Sequence, residues 1–398
     1  MTMRSSTISK DRRWDVIVVG ARVAGAATAL LLARAGLRVL CVDRSRSGGD
    51  TLSTHALMRG GVLQLQRWGV LDAVAAAGTP PVRRTVFHYG AESTAVSIRP
   101  STGVDALYAP RRTVIDALLV DAAKRAGATI EFGVAVTGLH RDGDDRVAGV
   151  VIDDRRRGRR AQRVERAPLV VGADGRNSVV ARNTGAPTVF VGRSASSFLY
   201  GYWADFPADG YEWFYQPGLT AGAIPTNDGL TCVFVGAAPA RMDEIVGTRS
   251  PLAAFQLLAG PAGIGPRIGA ASRAEPIRYV SRLPPGYLRP AHGPGWALVG
   301  DAGHWMDPMS THGMTAALRD AELLAQAVLS APAGGPQQRA ALAGYQATRD
   351  RLSLPMLPVT EEIASYGWDL DQLRTLLRCL ASAMADEVEA LTALSLAA

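Results

Sequence analysis

Three short stretches of this 398-residue chain place a glycine or an aspartate where an apolar run ends, and each could hold a phosphate or a sugar hydroxyl. The first is Gly20-Ala21-Arg22-Val23-Ala24-Gly25, which follows the β-branched run Val16 to Val19. A tight strand-to-helix turn of this kind aims the free N–H groups of a helix start, and the helix dipole, at an anion such as a pyrophosphate. Gly20 suits the turn, Ala24 opens the helix, and Gly25 allows close helix–strand packing. Arg22 stands where the usual G-x-G-x-x-G pattern has its second glycine. Its Cβ holds the backbone slightly away from a phosphate, and its guanidinium offers a charged contact instead. Taken alone, the broken pattern would also suit a purely structural turn. Its setting adds weight: Asp43 closes a second apolar strand, Arg38 to Val42, where a carboxylate can accept from a ribose hydroxyl.

The second stretch is VVGADGRNSVVAR, residues 170–182, in which Asp174-Gly175 follows a buried strand and Arg176, Ser178 and Arg182 come soon after. By itself it reads equally well as a strand-to-turn junction with a solvated basic helix start. The third is ALVGDAGHWMDPMSTHGMTAALRDAELLA, residues 297–325. Gly300-Asp301 closes another buried strand, and the Asp301 carboxylate is placed to bond a polyol chain. A helix beginning near Gly313 points its backbone N–H groups at whatever lies beyond Pro308, a position that favours negative charge.

Together the three stretches resemble the p-hydroxybenzoate-hydroxylase-like superfamily of flavoproteins, over residues 14–330. The glycine turn resembles its FAD-phosphate loop, Asp174-Gly175 its DG motif and Gly300-Asp301 its GD motif. The third stretch looks most like a branch whose turn also reads GARxAG, which makes Arg22 a branch feature. The resemblance implies that FAD is bound and that Asp301 contacts its ribityl chain. It implies that Arg112, opening an R-x-x-φ-D helix that runs to Asp116, reaches the phosphate–ribityl region. It also implies that Arg59, ahead of Gly60-Gly61-Val62-Leu63, contacts phosphate beside a flavin-lining loop. Surface arginines on helices remain the plainer reading of both. The cofactor-binding set expected on this basis is Gly20, Arg22, Ala24, Gly25, Asp43, Arg44, Arg59, Arg112, Val136, Asp174, Gly300, Asp301, Pro308, Gly313 and Met314.

The same resemblance implies a single-component monooxygenase: NAD(P)H reduces the flavin, and O2 then supplies one oxygen atom to an electron-rich small molecule. The flavin does the hard chemistry, while the protein positions it and excludes water. No Ser/His/Asp set and no metal motif is required, and none of the six histidines forms HExxH spacing. His55, in the loop before Arg59, and His312, just before Gly313, are the two candidates for handling protons or orienting substrate; satisfied loop histidines are the plainer alternative. Tyr200, Trp203, Trp213 and Tyr215, on aromatic strands, are candidates for roofing a flat apolar substrate, although alternation must turn half of such residues away. An O2-independent reductase of an isoprenoid-type substrate is the rival within the superfamily. A halogenase is disfavoured, because it would need a lysine between flavin and substrate and the only lysines are Lys10 and Lys124.

These residues need a scaffold. The segment 14–44 reads as a strand–helix–strand unit of parallel type. Helices are expected at 59–68, 112–126 and 313–329, strands at 83–103 and 168–173, and aromatic strands between 198 and 236, with Asn227-Asp228-Gly229 as a hairpin turn. The expected fold is an α/β, FAD-binding, Rossmann-like, doubly wound parallel sheet with an inserted mixed or antiparallel substrate lobe and C-terminal helices. The cofactor domain is assigned to 11–82, 104–182 and 285–345, the substrate lobe to 83–103 and 183–284, and the terminal helices to 346–398. The net charge of +7 is carried almost wholly by arginine, and the one dense cluster, at 153–163, reads as a solvated hairpin tip, so nucleic acid is not an expected partner. No apolar run approaches the roughly 18 residues of a membrane span. The segment before Asp15 is basic without an apolar core, unlike a signal peptide, so a cytoplasmic monomer or homodimer is expected.

Overall fold

The computed structural model describes residues 14–51, 53–154, 161–331 and 333–394; Lys10 and the tip of the arginine-rich hairpin, 155–160, lie outside them. At its centre is a six-stranded sheet in the order 292–293, 296–298, 169–172, 16–19, 39–43, 129–132. All its pairings are parallel except the short outermost one, His292–Gly293 against Trp296–Leu298. The inner strands are almost purely aliphatic because both faces are covered. Alternation sends Val16, Val18, Val39 and Cys41 to one face, where Val23–Arg34, Arg112–Arg125 and Gly313–Leu329 pack. It sends Ile17, Val19, Leu40 and Val42 to the other. That second face is covered by an antiparallel meander, 134–141, 147–154 and 161–166, and by the short helix Val179–Thr184.

A second, eight-stranded sheet stands over the C-terminal edge of the first. Its strands come from two distant segments: Arg84–Tyr89 and Glu92–Ser97, then 197–204, 211–216, 219–225, 230–237 and two short strands near 272–280. Pairing is antiparallel throughout, save that Tyr211–Gln216 runs parallel to Arg84–Tyr89. One face bears Phe198, Tyr200, Tyr202, Trp213 and Phe234 and joins the main core. The opposite face bears Leu199, Trp203, Phe214 and Val233, and packs on the helices Pro239–Val246 and Pro251–Ala259. Both helices carry proline at their start, where its missing N–H costs no bond. The chain ends in Pro336–Ser353, Met356–Ser365 and Leu370–Ala393; the last packs against Arg59–Arg67 and opens with a capping box from Asp369 and Gln372. Among the described residues no helix is long and apolar enough to cross a membrane.

The glycine turn is fixed by crowding. Gly20 has φ +103, and a β-carbon on it would sit 2.4 Å from the Ala173 carbonyl oxygen. Gly25 is packed so tightly that its β-carbon would lie 1.8 Å from the Gly20 carbonyl oxygen. Gly20→Ala combines positive-φ strain with a backbone clash, so it should cost roughly 2–4 kcal/mol. Urea unfolding followed by circular dichroism would measure it; a loss below about 0.5 kcal/mol would contradict the crowding.

Candidate flavin site

The ends of four parallel strands, three helix starts and the aromatic face of the large sheet enclose one elongated cavity of about 560 Å³. That is within the range of small-molecule sites. Its two ends differ in chemistry.

At the polar end, Arg22, Arg44 and Arg112 line the wall beside Gly20 and Ala24. Arg22 is the extended residue before the helix Val23–Arg34, whose first turn carries no acidic side chain to compete for its free N–H groups. Asp43 also lines the wall, and it braces the turn: Oδ2 accepts from the Ala21 N–H at 2.8 Å, and Oδ1 accepts from the Ser45 N–H and hydroxyl at 2.8 and 2.6 Å. A carboxylate has about four acceptor positions, so a ribose hydroxyl can still be accommodated. Arg112 pairs with Asp116 at 3.0 Å. Val136, on the meander, closes this end.

Along the middle lie Asp174, Arg176 and Asp301. Asp174 Oδ2 accepts from the Val179 N–H at 2.6 Å, whereas its buried Oδ1 has no partner. Burial pushes the Asp301 carboxyl up to about 6, against the pull of Arg176 and Arg112. Gly300 adopts φ +55 and faces Ala24, which brings Asp301 to the cavity. Thr311, Gly313 and Met314 bring the start of the helix Gly313–Leu329 to the same wall, and Pro308 adjoins it. The segment is pinned by the buried Asp307, which accepts from the Ser196 N–H and hydroxyl at 2.7 and 2.9 Å and from the Met309 N–H at 3.0 Å. At the apolar end stand Phe198, Tyr200, Phe234, Trp305 and Met306. Phe198 meets Phe234 edge-on at 5.8 Å, and Arg176 lies over the Trp305 ring at 4.7 Å.

Several expected residues stand elsewhere. Arg59 does not reach the cavity: its guanidinium donates to the carbonyls of Arg99, Val104 and Ser101 at 2.7, 2.9 and 3.3 Å, so it clamps a loop. Trp203 faces the other side of the large sheet, where it stacks on Phe255 at 4.9 Å, because its odd position in the strand alternates away from Phe198 and Tyr200. Trp213 and Tyr215 share the inner face but lie behind the wall, Trp213 against Phe234 and Tyr215 against Tyr89 and Trp368. Gly25 and Gly300 shape the wall without lining it. His55 is fully buried with Nε2 2.5 Å from the Tyr202 hydroxyl, and burial lowers it to about 3, so a neutral ring faces away from the cavity. His312 likewise turns inward, to Glu387 at 2.7 Å. Conversely, Phe198, Phe234, Trp305 and Met306 were not singled out from sequence, and Arg176 was noted after Asp174-Gly175 without a role in the site. Phe198 is two residues from Tyr200, and that period is the signal that would have found it.

A family model described as an FAD binding domain matches residues 13–229, and the chain belongs to that p-hydroxybenzoate-hydroxylase-like family of FAD-dependent oxidoreductases. It is 34% identical over 180 residues to the probable electron transfer flavoprotein-quinone oxidoreductase YdiS of Escherichia coli, a match covering 44% of this chain and only 39% of that protein. It is 27% identical over 343 residues to the menaquinone reductase of Mycolicibacterium smegmatis, covering 80% and 77%. In fold it is similar to PqsL, a probable FAD-dependent monooxygenase from Pseudomonas aeruginosa, with TM-score 0.79 at 20% identity over 92% of this chain and 100% of that one. The myxobacterial chondrochloren halogenase CndH shares the fold too, with TM-score 0.75 at 22% identity over 86% and 80%.

The wall fits FAD. Arginines and two helix starts would meet the pyrophosphate, Asp301 and the unpartnered Asp174 oxygen could accept from hydroxyls, and the aromatic end suits a flat ring. Asp301→Ala should therefore bind FAD about 10- to 100-fold more weakly, the cost of one charge-assisted hydrogen bond. Fluorescence titration of the cofactor-free protein would show it, and unchanged affinity would remove Asp301 from the site. A pH effect also follows. Because burial raises Asp301 from 3.8 to about 6, the folded chain holds this proton after the unfolded chain has lost it. The resulting stability is full below about pH 4 and is lost as pH rises through 6. Asp307, raised alike to about 6, contributes a second such step. Urea unfolding of cofactor-free protein across pH 4–7 should show a shallower decline in Asp301→Asn, by at most about 3 kcal/mol. An unaltered slope would contradict the assignment.

Proposed function

We propose that the chain is a flavin monooxygenase that uses NAD(P)H and O2 to oxygenate an apolar, aromatic small molecule. The observation that carries this reading is the cavity's polarity: a cationic, helix-start end for a dinucleotide continues into an end walled by Phe198, Tyr200, Phe234, Trp305 and Met306. Bound FAD supplies the exchange of electrons between reductant and O2. The net reaction is substrate–H + O2 + NAD(P)H + H⁺ → substrate–OH + H2O + NAD(P)⁺. Arg22 and Arg112 would hold the phosphate charge, Asp301 the polyol, and the start of Gly313–Leu329 would favour negative charge at its N–H groups. The aromatic wall excludes water and stacks a planar substrate against the site. The described residues contain one parallel dinucleotide-type sheet, so NAD(P)H would approach the same cavity.

A second reading has its own support. The menaquinone reductase relative matches most of both chains, which favours reduction of a quinone or isoprenoid-type molecule without O2. Following NADPH and NADH oxidation under argon and under air, with a panel of aromatic and isoprenoid acceptors, separates the two. Monooxygenation requires air and adds one oxygen to the product mass. Turnover under argon with a product two hydrogens heavier would replace it with reduction. Phe234→Ala should raise the KM for substrate at least tenfold while leaving FAD bound, since a buried phenyl contributes about 2–3 kcal/mol.

Halogenation is disfavoured by the cavity wall. Lys124 is exposed in the last turn of its helix, and among the described residues no lysine lines the cavity. With excess bromide or chloride the product should carry oxygen and no halogen. A halide-dependent mass shift would overturn this.

A further inference from the structure

The C-terminal helix Leu370–Ala393 does not line the cavity, yet one of its side chains reaches the cavity wall by two routes. Glu387 is fully buried. Its Oε2 lies 2.7 Å from His312 Nε2, and its Oε1 accepts from Arg319 at 2.8 Å. His312 stands between Thr311 and Gly313, both on the wall, while its own ring turns into the core. Arg319, also fully buried, donates to Asp320 Oδ1 at 2.8 and 3.0 Å and to the Ser353 hydroxyl at 2.9 Å. The other oxygen of Asp320 accepts from the Gly300 N–H at 3.1 Å, and the next residue is Asp301. One carboxylate thus bears on both elements that face the middle of the cavity. Burial alone would raise its pKa, and instead His312 and Arg319 hold it below the ordinary carboxyl range.

We propose that Glu387 is a positioning residue for bound FAD: through His312 it sets the start of the helix Gly313–Leu329, and through Arg319 and Asp320 it sets the Gly300-Asp301 turn. The proposal rests on the FAD reading of the cavity. Its consequence is a preference between cofactor states. Reduced flavin carries negative charge on its ring, and the favourable field of a helix start falls off within one turn, so a small retreat of Gly313 weakens reduced flavin more than oxidised. Removing Glu387 takes one partner from Arg319 and the facing carboxylate from His312, and buried networks of this kind lose geometry when one member goes. Arg319 also serves Asp320, and loss of negative charge alone would move the potential upward, so a more negative potential reports the change of geometry.

The test uses the full chain loaded with FAD, and reads FAD affinity and the midpoint potential of the bound flavin by dye equilibration. Glu387→Ala and His312→Asn should each lower the preference for reduced over oxidised FAD about tenfold, which for a two-electron couple is a potential about 30 mV more negative. Leu391→Ala is the control. It loosens the same helix at a buried contact beside Gly60 without touching the network. It should lower the unfolding temperature and leave the potential unchanged. If Glu387→Ala does not fold, Glu387→Gln keeps the volume and should shift the potential in the same direction. Potentials equal to the unaltered protein in the Glu387 and His312 variants, or an equal shift in Leu391→Ala, would overturn the proposal. Failure of the unaltered chain to bind FAD would instead overturn the cofactor reading, and the proposal with it.

Discussion

Gly20 passes so close to the carbonyl of Ala173 that no side chain fits between them, and its φ of +103 is one that other residues adopt only under strain. This contact joins the end of the first parallel strand to the end of the strand Leu169–Gly172. It also sets the angle at which Val23–Arg34 leaves the sheet. Because of it, the Arg22 side, the Asp174 side and the Gly300–Ala24 contact converge on one space. Widening the gap by a single methyl group would separate the helix start from two of the three aspartates that face it. Gly25, jammed against the Gly20 carbonyl, locks the same junction from the helix side.

Around that junction the protein holds several carboxyls where ionisation is disfavoured and lines them with arginines that favour it. Asp116, Asp174, Asp301 and Asp307 are all raised by burial; Arg112 pulls Asp116, and Arg176 with Arg112 pulls Asp301, in the opposite direction, as hydrogen bonds do for Asp174 and Asp307. Such a wall is poised to exchange hydrogen bonds with a bound polyol and phosphate more than to sustain free charge. The dominance of arginine over lysine is consistent with this use, since a planar guanidinium can bridge phosphate oxygens and also stack, as Arg176 does on Trp305.

Much of this was legible in the sequence, for local reasons. The apolar strands, the glycine turn and the aspartates that end strands are all written within a few residues of each other, and their outcome depends on little else. Arg112, Val136, Asp301 and Tyr200 line the cavity as a reading of motifs and alternation would place them. What was not legible depends on register or on distant partners. Arg59 matches a motif position, but its guanidinium meets three carbonyls of the loop 99–104, a contact that nothing near Arg59 announces. Trp203 and Tyr200 are three apart on one strand, so only one can face inward, and strand alternation alone does not say which. His312 looked outward by its position at a helix start; its partner, Glu387, lies seventy-five residues further on. Of the antiparallel meander covering the second face of the central sheet, the two arms of the arginine-rich hairpin were legible in sequence, whereas the first strand, 134–141, was not.

The pairing pattern has a consequence for synthesis on the ribosome. Tyr211–Gln216 adds to a strand made more than a hundred residues earlier, and Trp296–Leu298 completes the parallel sheet beside Leu169–Gly172. A nascent chain that has released only the segment 13–229 would hold Leu219–Pro225 without its neighbour Leu230–Ala237. It would also lack Asp301 and the helix start at Gly313. Two apolar strand edges would then be open at once, the condition under which unfinished chains pair with one another. The region that defines the family is therefore not a unit of folding. Until the last parallel strand arrives, the arm Arg84–Ser97 and the half-built large sheet keep open edges that the finished fold covers.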